Sequence, residues 1–314
     1  MRKILLIILC IFLFEPKAAA AEKSEEELLR ETAALSKEVK EFGKTIGIEP
    51  SAVLTKTALE APRQDWLVVM AQKRGTLALH EPIEMEFWLY FSESPRKIIQ
   101  NWYLYNKSYS IYTRLGEQLA DKGSTITPDF AKEELMRKVD VILHEDLHMN
   151  TEHLRGTINQ EAIITPLATL AALKFFEYAE DRANYTKTEA LIQRYRAISR
   201  ELNDFVKTVL DIFLHIPEEE WYEKIFEIAE DYPNYMAEFR NIGESLNQES
   251  LEENRLEAKI SYDYLYHKYF DRVVALYEKC GDLKLLIADL KKSPAETSAL
   301  EAYLAELEKK YGSR

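Results

Sequence analysis

Two cysteines in 314 residues, Cys10 and Cys280, allow at most one disulfide, so no disulfide framework holds this chain together. Glycine is almost as scarce, with nine residues, and none of them forms a glycine-rich phosphate loop. Nucleotide sites of the P-loop and dinucleotide kinds are thereby excluded. Positive charge is in deficit, 41 Lys and Arg against 54 Asp and Glu, for a formal net charge of −13. An acidic chain argues against nucleic acid and against anionic lipid surfaces, both of which need a positive footprint. The apolar run Ile4–Phe14 falls well short of the roughly 20 residues that span a bilayer.

That run follows Arg2 and Lys3 and precedes the alanines at 18–21, the pattern of a secretory signal peptide cleaved after Ala20 or Ala21. Residues 1–20 are expected to be this signal and residues 21–314 the working domain. Cys10 follows Leu9, where a lipid-attachment signal needs a small residue. Removing residues 1–20 takes away Arg2, Lys3 and Lys17 against Glu15 and moves the charge from −13 to −15. The pattern predicts a periplasmic protein with no stable membrane insertion after signal removal. With only Cys280 left, its stability must come from a core, which about 290 residues can supply.

What is present is mainly helical. Residues 22–46 read as an amphipathic helix with an acidic first turn. WLVVMAQ and TLALHE, separated by KRG, read as a β-hairpin turning at Gly75. From Pro95 the apolar residues recur at helical spacing over 95–121, 128–153, 166–182, 186–214, 217–230, 232–244, 249–278 and 293–311. No repeat, linker or composition break divides the chain. The expected fold is mainly α, a single helical domain with a small β-hairpin near the N-terminus.

The chemistry concentrates in LHEDLHMNTEH, residues 143–153, which holds three of the six histidines. On a helix His144 and His148 stand one above the other with Glu145 beside them, the geometry of two imidazole ligands and a carboxylate base. Zinc held this way needs a third protein ligand and keeps a position for water. Four residues could supply it. His153 lies on the opposite side of the helix from His144, and Glu152 continues the face of His148. Glu161 follows a possible turn at Gly156 and Thr157, which would bring it back against the histidines, and Glu177 lies further along the same segment.

HEDLH followed by NQEAIITPLATLAA resembles the glutamate-ligand group of zinc metallopeptidases, with an aminopeptidase-like flavour, over about residues 135–180. The resemblance implies a zincin-like active helix, His144, His148 and Glu161 as zinc ligands, and Glu145 as general base. Glu161 follows His148 by 13 residues, a shorter gap than the best-known members leave, and is preceded by Asn159 and Gln160.

Such chemistry also needs a donor for the oxyanion. SYDYLYHKYF, residues 261–270, offers His267 and Tyr266, although aromatic helices more often simply pack. Tyr105, Tyr109 and Tyr112 read as a helical stripe, with Arg114 as a possible carboxylate clamp. His80 falls in the hairpin, which could serve as a rail for an extended peptide. His215 reads as a helix-end histidine, and Cys280, flanked by acids, lacks a partner that would make a reactive thiolate. The expected function is a zinc-dependent peptide hydrolase acting on peptide or protein substrates. The competing reading is a non-catalytic helical envelope protein whose metal site is structural or vestigial and which mediates protein interaction. A dinuclear carboxylate bundle would need repeated Glu-x-x-His, and Glu145–His148 is the one clear instance.

Overall fold

A computed structural model of the chain describes residues 23–60, 66–79, 86–90, 108–116, 124–241 and 254–313. In chain order the elements are helix α1 (Glu25–Thr45), strands β1 (Trp66–Lys73), β2 (Glu86–Tyr90) and β3 (Tyr109–Gly116), and helices α2 (Pro128–Lys132), α3 (Leu135–Asn150), α4 (Ile158–Tyr178) and α5 (Arg182–His215). They continue with α6 (Trp221–Ala229), α7 (Pro233–Arg240), α8 (Leu256–His267), α9 (Phe270–Cys280), α10 (Leu283–Leu290) and α11 (Thr297–Gly312). The fold is mainly α with a small antiparallel β element near its front, as the periodicity predicts. The signal segment 1–20, His80 and Tyr105 lie outside the described residues.

The β element differs from expectation in two ways. Its hairpin partner for β1 is β2, paired Val69 to Trp88, and TLAL is not a strand. A third strand, β3, pairs with the other edge of β1, Val69 opposite Thr113, inside the stretch 95–121 that reads as helix. The tyrosines there have a helical spacing, but β-branched and aromatic residues also favour strands. On a strand a spacing of three sends Tyr109 and Tyr112 to opposite faces. Tyr112 is buried, its ring 5.2 Å from that of Tyr262 on α8. The segment 283–290 is also a helix that periodicity did not separate.

Local chemistry sets the helix ends. Ser24 and Glu27 form a reciprocal capping box at the start of α1, with Glu25, Glu26 and Glu27 in its first turn. Thr127 caps α2 ahead of Pro128. Gly75 closes the turn after β1 with φ at +72°, and an added Cβ would stand 2.6 Å from the Trp221 ring, so the position requires glycine twice over.

The buried apolar residues fall into two clusters. One gathers α1 to α4 with α9, α10 and α11, around Phe42, Leu143, Leu167, Phe270 and Leu304. The other gathers the sheet, the second half of α5 and α6 to α8, around Met70, Phe205, Ile225 and Tyr235. Their border crosses the first turn of α4, between Ile158 and Ala162, and the middle of α5, where Tyr195 packs against both. Among the described residues no helix is long and apolar enough to cross a membrane.

The helix carrying the histidine motif, α3, is tied to the front of the chain by a buried ion pair. Lys40 on α1 donates to Asp146, which also accepts from the Ser51 N–H at 2.9 Å and its hydroxyl at 2.7 Å. Both charged side chains are almost wholly buried, so losing one partner strands the other in a low-dielectric interior. Lys40→Met is expected to cost about 3–5 kcal/mol, measured as a lowered urea midpoint. Lys40→Met with Asp146→Leu should cost less than the sum of the two single changes, since the double variant leaves no stranded charge.

Candidate metal centre

The motif sits where its spacing puts it, on α3, with Val139, Ile142, Leu143 and Leu147 buried in the first cluster and the histidines at the edge of that face. Thr151 ends the helix, its hydroxyl donating to Leu147 O at 2.8 Å. A single 3-10 turn at Glu152–Leu154 and Gly156, at φ +76°, then reverse the chain into α4. The positive φ is accessible to glycine at no steric cost. The reversal lays α4 antiparallel on α3.

This pairing builds a polar seam. On α3 its residues are Asp140, His144 and His148, one per turn, and on α4 Thr169, Thr165 and Glu161. Glu161 faces both imidazoles, its Oε1 3.2 Å from His148 Nε2 and its Oε2 3.2 Å from His144 Nε2. The imidazole rings stand 4.9 Å apart at 79°. One turn above Thr165, Thr169 donates its hydroxyl to Asp140 at 3.1 Å. Glu145 lies beside the pair, with ligand atoms of His144, Glu145 and His148 all within 4.8 Å of one another.

The donor set fits a divalent metal. Ligand atoms at zinc's usual 2.0–2.2 Å around a tetrahedron stand roughly 3.3–3.6 Å apart, close to the 3.2 Å separations here. Glu145 Oε2 and Thr165 Oγ1 are buried without a hydrogen-bond partner. Buried acceptors left unpaired are costly and call for an explanation, and a cation between them supplies one. His144, His148 and Glu161 keep 16%, 15% and 23% of their side-chain surface exposed, so the site is not sealed from solvent.

Electrostatics follow from burial and from this crowding. Burial opposes charge on His148, but the Glu161 carboxylate outweighs it and raises the imidazole to about 9. Burial likewise opposes the Glu161 anion, and the two histidines overcome it, holding the carboxyl well below the usual range. Glu145 is raised, chiefly by burial, with the imidazoles pulling the other way. Without metal, the site is thus a proton-bridged ion pair at neutral pH.

The remaining residues expected at the site are spread more widely. His153 binds the Ser293 carbonyl at 2.9 Å and Glu152 pairs with Arg155, so neither meets His144. Glu177 pairs with Lys174. His267, on α8, is buried against the rings of Tyr195 and Phe270. Burial, with Lys259 and Arg194 nearby, lowers it to about 3, a neutral imidazole at any working pH. Tyr266 packs on Tyr262, with ring centroids 4.9 Å apart. The sheet packs on α8, whereas α3 packs on α1, α4 and α5, so no described strand runs beside the motif as a peptide rail. His215 is an exposed helix-end histidine bonded to Asp211, and Cys280 is half-buried with its thiol on Asp282 O.

Three contributors escaped the sequence reading. Asp140 and Thr169 were legible in principle, since 140, 144, 148 and 161, 165, 169 repeat at intervals of four. Tyr195 carried no local signal, being one of two tyrosines, with Tyr185, on a helix of 34 residues. Its phenol is raised to about 12 by burial and by the Glu238 and Asp140 carboxylates, and its ring packs on His267. Comparison of the chain with protein-family models, with curated proteins and with solved structures finds no match.

The sign of the pH dependence follows from His148. Its folded value lies above the unfolded 6.5, so its contribution to the metal-free fold is complete below that value and is lost as pH rises through about 9. Metal needs the neutral imidazole and displaces this proton. Zinc affinity, measured by chelator competition, is expected to tighten about tenfold per pH unit from neutrality and to level off near the His148 value. Over the same range the metal-free protein should lose thermal stability.

Proposed function

We propose that the protein is a zinc-dependent hydrolase of peptide bonds, acting outside the cytoplasm as its N-terminal sequence pattern suggests. The observation that carries this reading is the convergence of two imidazoles and a carboxylate from two antiparallel helices, with a second buried carboxylate beside them, in a site not sealed from solvent. When bound, zinc supplies Lewis acidity, polarising a carbonyl and making a water more acidic. His144, His148 and Glu161 hold it.

Glu145 performs the proton transfers. Burial raises its basicity above that of an ordinary carboxylate, which suits a group that takes a proton from the attacking water and returns it to the departing amine. Tyr266 packs its ring on Tyr262, and His267 is buried against Tyr195 and Phe270, so neither is assigned to the developing oxyanion. The acidic surface favours neutral or basic peptides over acidic ones. A purely structural site would draw a fourth protein ligand; His153 and Glu152 are committed to Ser293 and Arg155, which leaves Glu145, whose carboxylate lies among the histidine ligand atoms, so zinc retention by a Glu145 variant separates the two readings.

The test is a peptide-library assay on the zinc-loaded protein. Glu145→Gln should retain zinc yet lose at least about 100-fold in kcat, the scale of general-base removal. Zinc retention with no cleavage by the wild type under any tested condition would leave the non-catalytic metal protein.

A further inference from the structure

Glu161 is one of three consecutive side chains in the first turn of α4, and each of the three grips a different part of the molecule. Gln160 sends its amide N–H groups to the end of α3, reaching His148 O at 3.2 Å, Thr151 O at 3.1 Å and Thr151 Oγ1 at 3.2 Å. These acceptors lie at the C-terminal end of α3, where His148 O and Thr151 O otherwise accept only from the Thr151 and Leu154 N–H groups of the closing turn. Asn159 donates to Ala295 O at 2.7 Å and Thr297 Oγ1 at 3.3 Å, in the segment leading into α11. Asn159 and Gln160 are both buried, and Glu161 supplies the carboxylate that faces both histidines.

We infer that Gln160 is the positioning residue of the metal centre, setting its affinity by fixing Glu161 against His148. The inference rests on the metal reading above. The logic is one of rotation and register. Successive helix residues point about 100° apart, so anchoring Gln160 to α3 and Asn159 to the α11 approach determines where the Glu161 side chain points. Gln160 also bonds the carbonyl of His148 itself. One amide thus joins the backbone of one ligand to the residue preceding another, and the two ligands cannot separate without breaking it. Partners lying outside the ligand set commonly change metal affinity by 10–100-fold.

The experiment compares purified wild type, Gln160→Met and Tyr303→Phe for zinc affinity, by titration with zinc ions against a chromogenic chelator, and for urea stability without metal. Met keeps the volume of Gln but has no N–H. Tyr303 donates to Asp289 O at 2.7 Å near the end of α10, so its loss exposes a helix-end carbonyl of the same kind away from Glu161. Gln160→Met is expected to weaken zinc binding by 10- to 100-fold and to lower the oxygen contribution in the zinc X-ray absorption spectrum. Tyr303→Phe should leave both unchanged even where its urea midpoint falls. Unaltered affinity in Gln160→Met, or an equal loss in both variants, would overturn the inference. A wild type that takes up no zinc would defeat the metal reading itself, a failure visible without any variant.

Discussion

The chemistry open to this molecule depends on one constraint: two imidazoles on one helix are held against a carboxylate on the next by a turn too short to let the helices drift apart. Each group alone is ordinary. With each imidazole 3.2 Å from the carboxylate at the margin of a core, they become a cluster that burial penalises and mutual attraction sustains. The penalty explains why the rest of the fold converges here. Lys40 and Ser51 hold Asp146 behind the motif, Gln160 closes the end of α3, and the approach to α11 fastens Asn159. Desolvated polar groups tolerate little looseness.

The location of the cluster has a second cause. The border between the two hydrophobic clusters passes through the first turn of α4 and through Tyr195 on α5, at the level of Glu161. Such borders are where apolar packing leaves room and where ligands preferentially bind. Along the seam, Asp140 and Thr169 are satisfied by each other, whereas Thr165 and Glu145 keep unpaired oxygens. The polar character of the seam is therefore resolved at one end and unresolved at the other, and the unresolved end is where the histidines lie.

Much of this was legible in the sequence because it is local. The spacing of His144, Glu145 and His148 needs only helical geometry, and Gly156 marks the reversal that brings Glu161 back. The helical class follows from apolar periodicity over most of the chain. What was not legible depends on contacts distant in sequence. β3 reads as helix because Tyr109 and Tyr112 stand at a helical spacing, and its pairing with β1 decides the outcome. His267 and Tyr266 looked available because they are polar and close together in sequence. The packing of α8 between the sheet and α5 gives His267 to Tyr195 and Phe270, and Tyr266 to Tyr262. Tyr195 had no motif to announce it, because its proximity to α3 is created wholly by how α5 crosses the cluster border.

The central claim is that His144, His148 and Glu161 form one metal centre. It is tested most directly by zinc content and zinc-edge X-ray absorption on protein purified without added metal, beside Glu161→Ala. One zinc per chain, bound by two imidazole nitrogens and by oxygen and lost in Glu161→Ala, is the predicted result. A wild type that holds no zinc even when it is offered above neutral pH, where the proton on His148 competes least, would contradict the account. The seam would then be an ion pair that serves only to pack two helices.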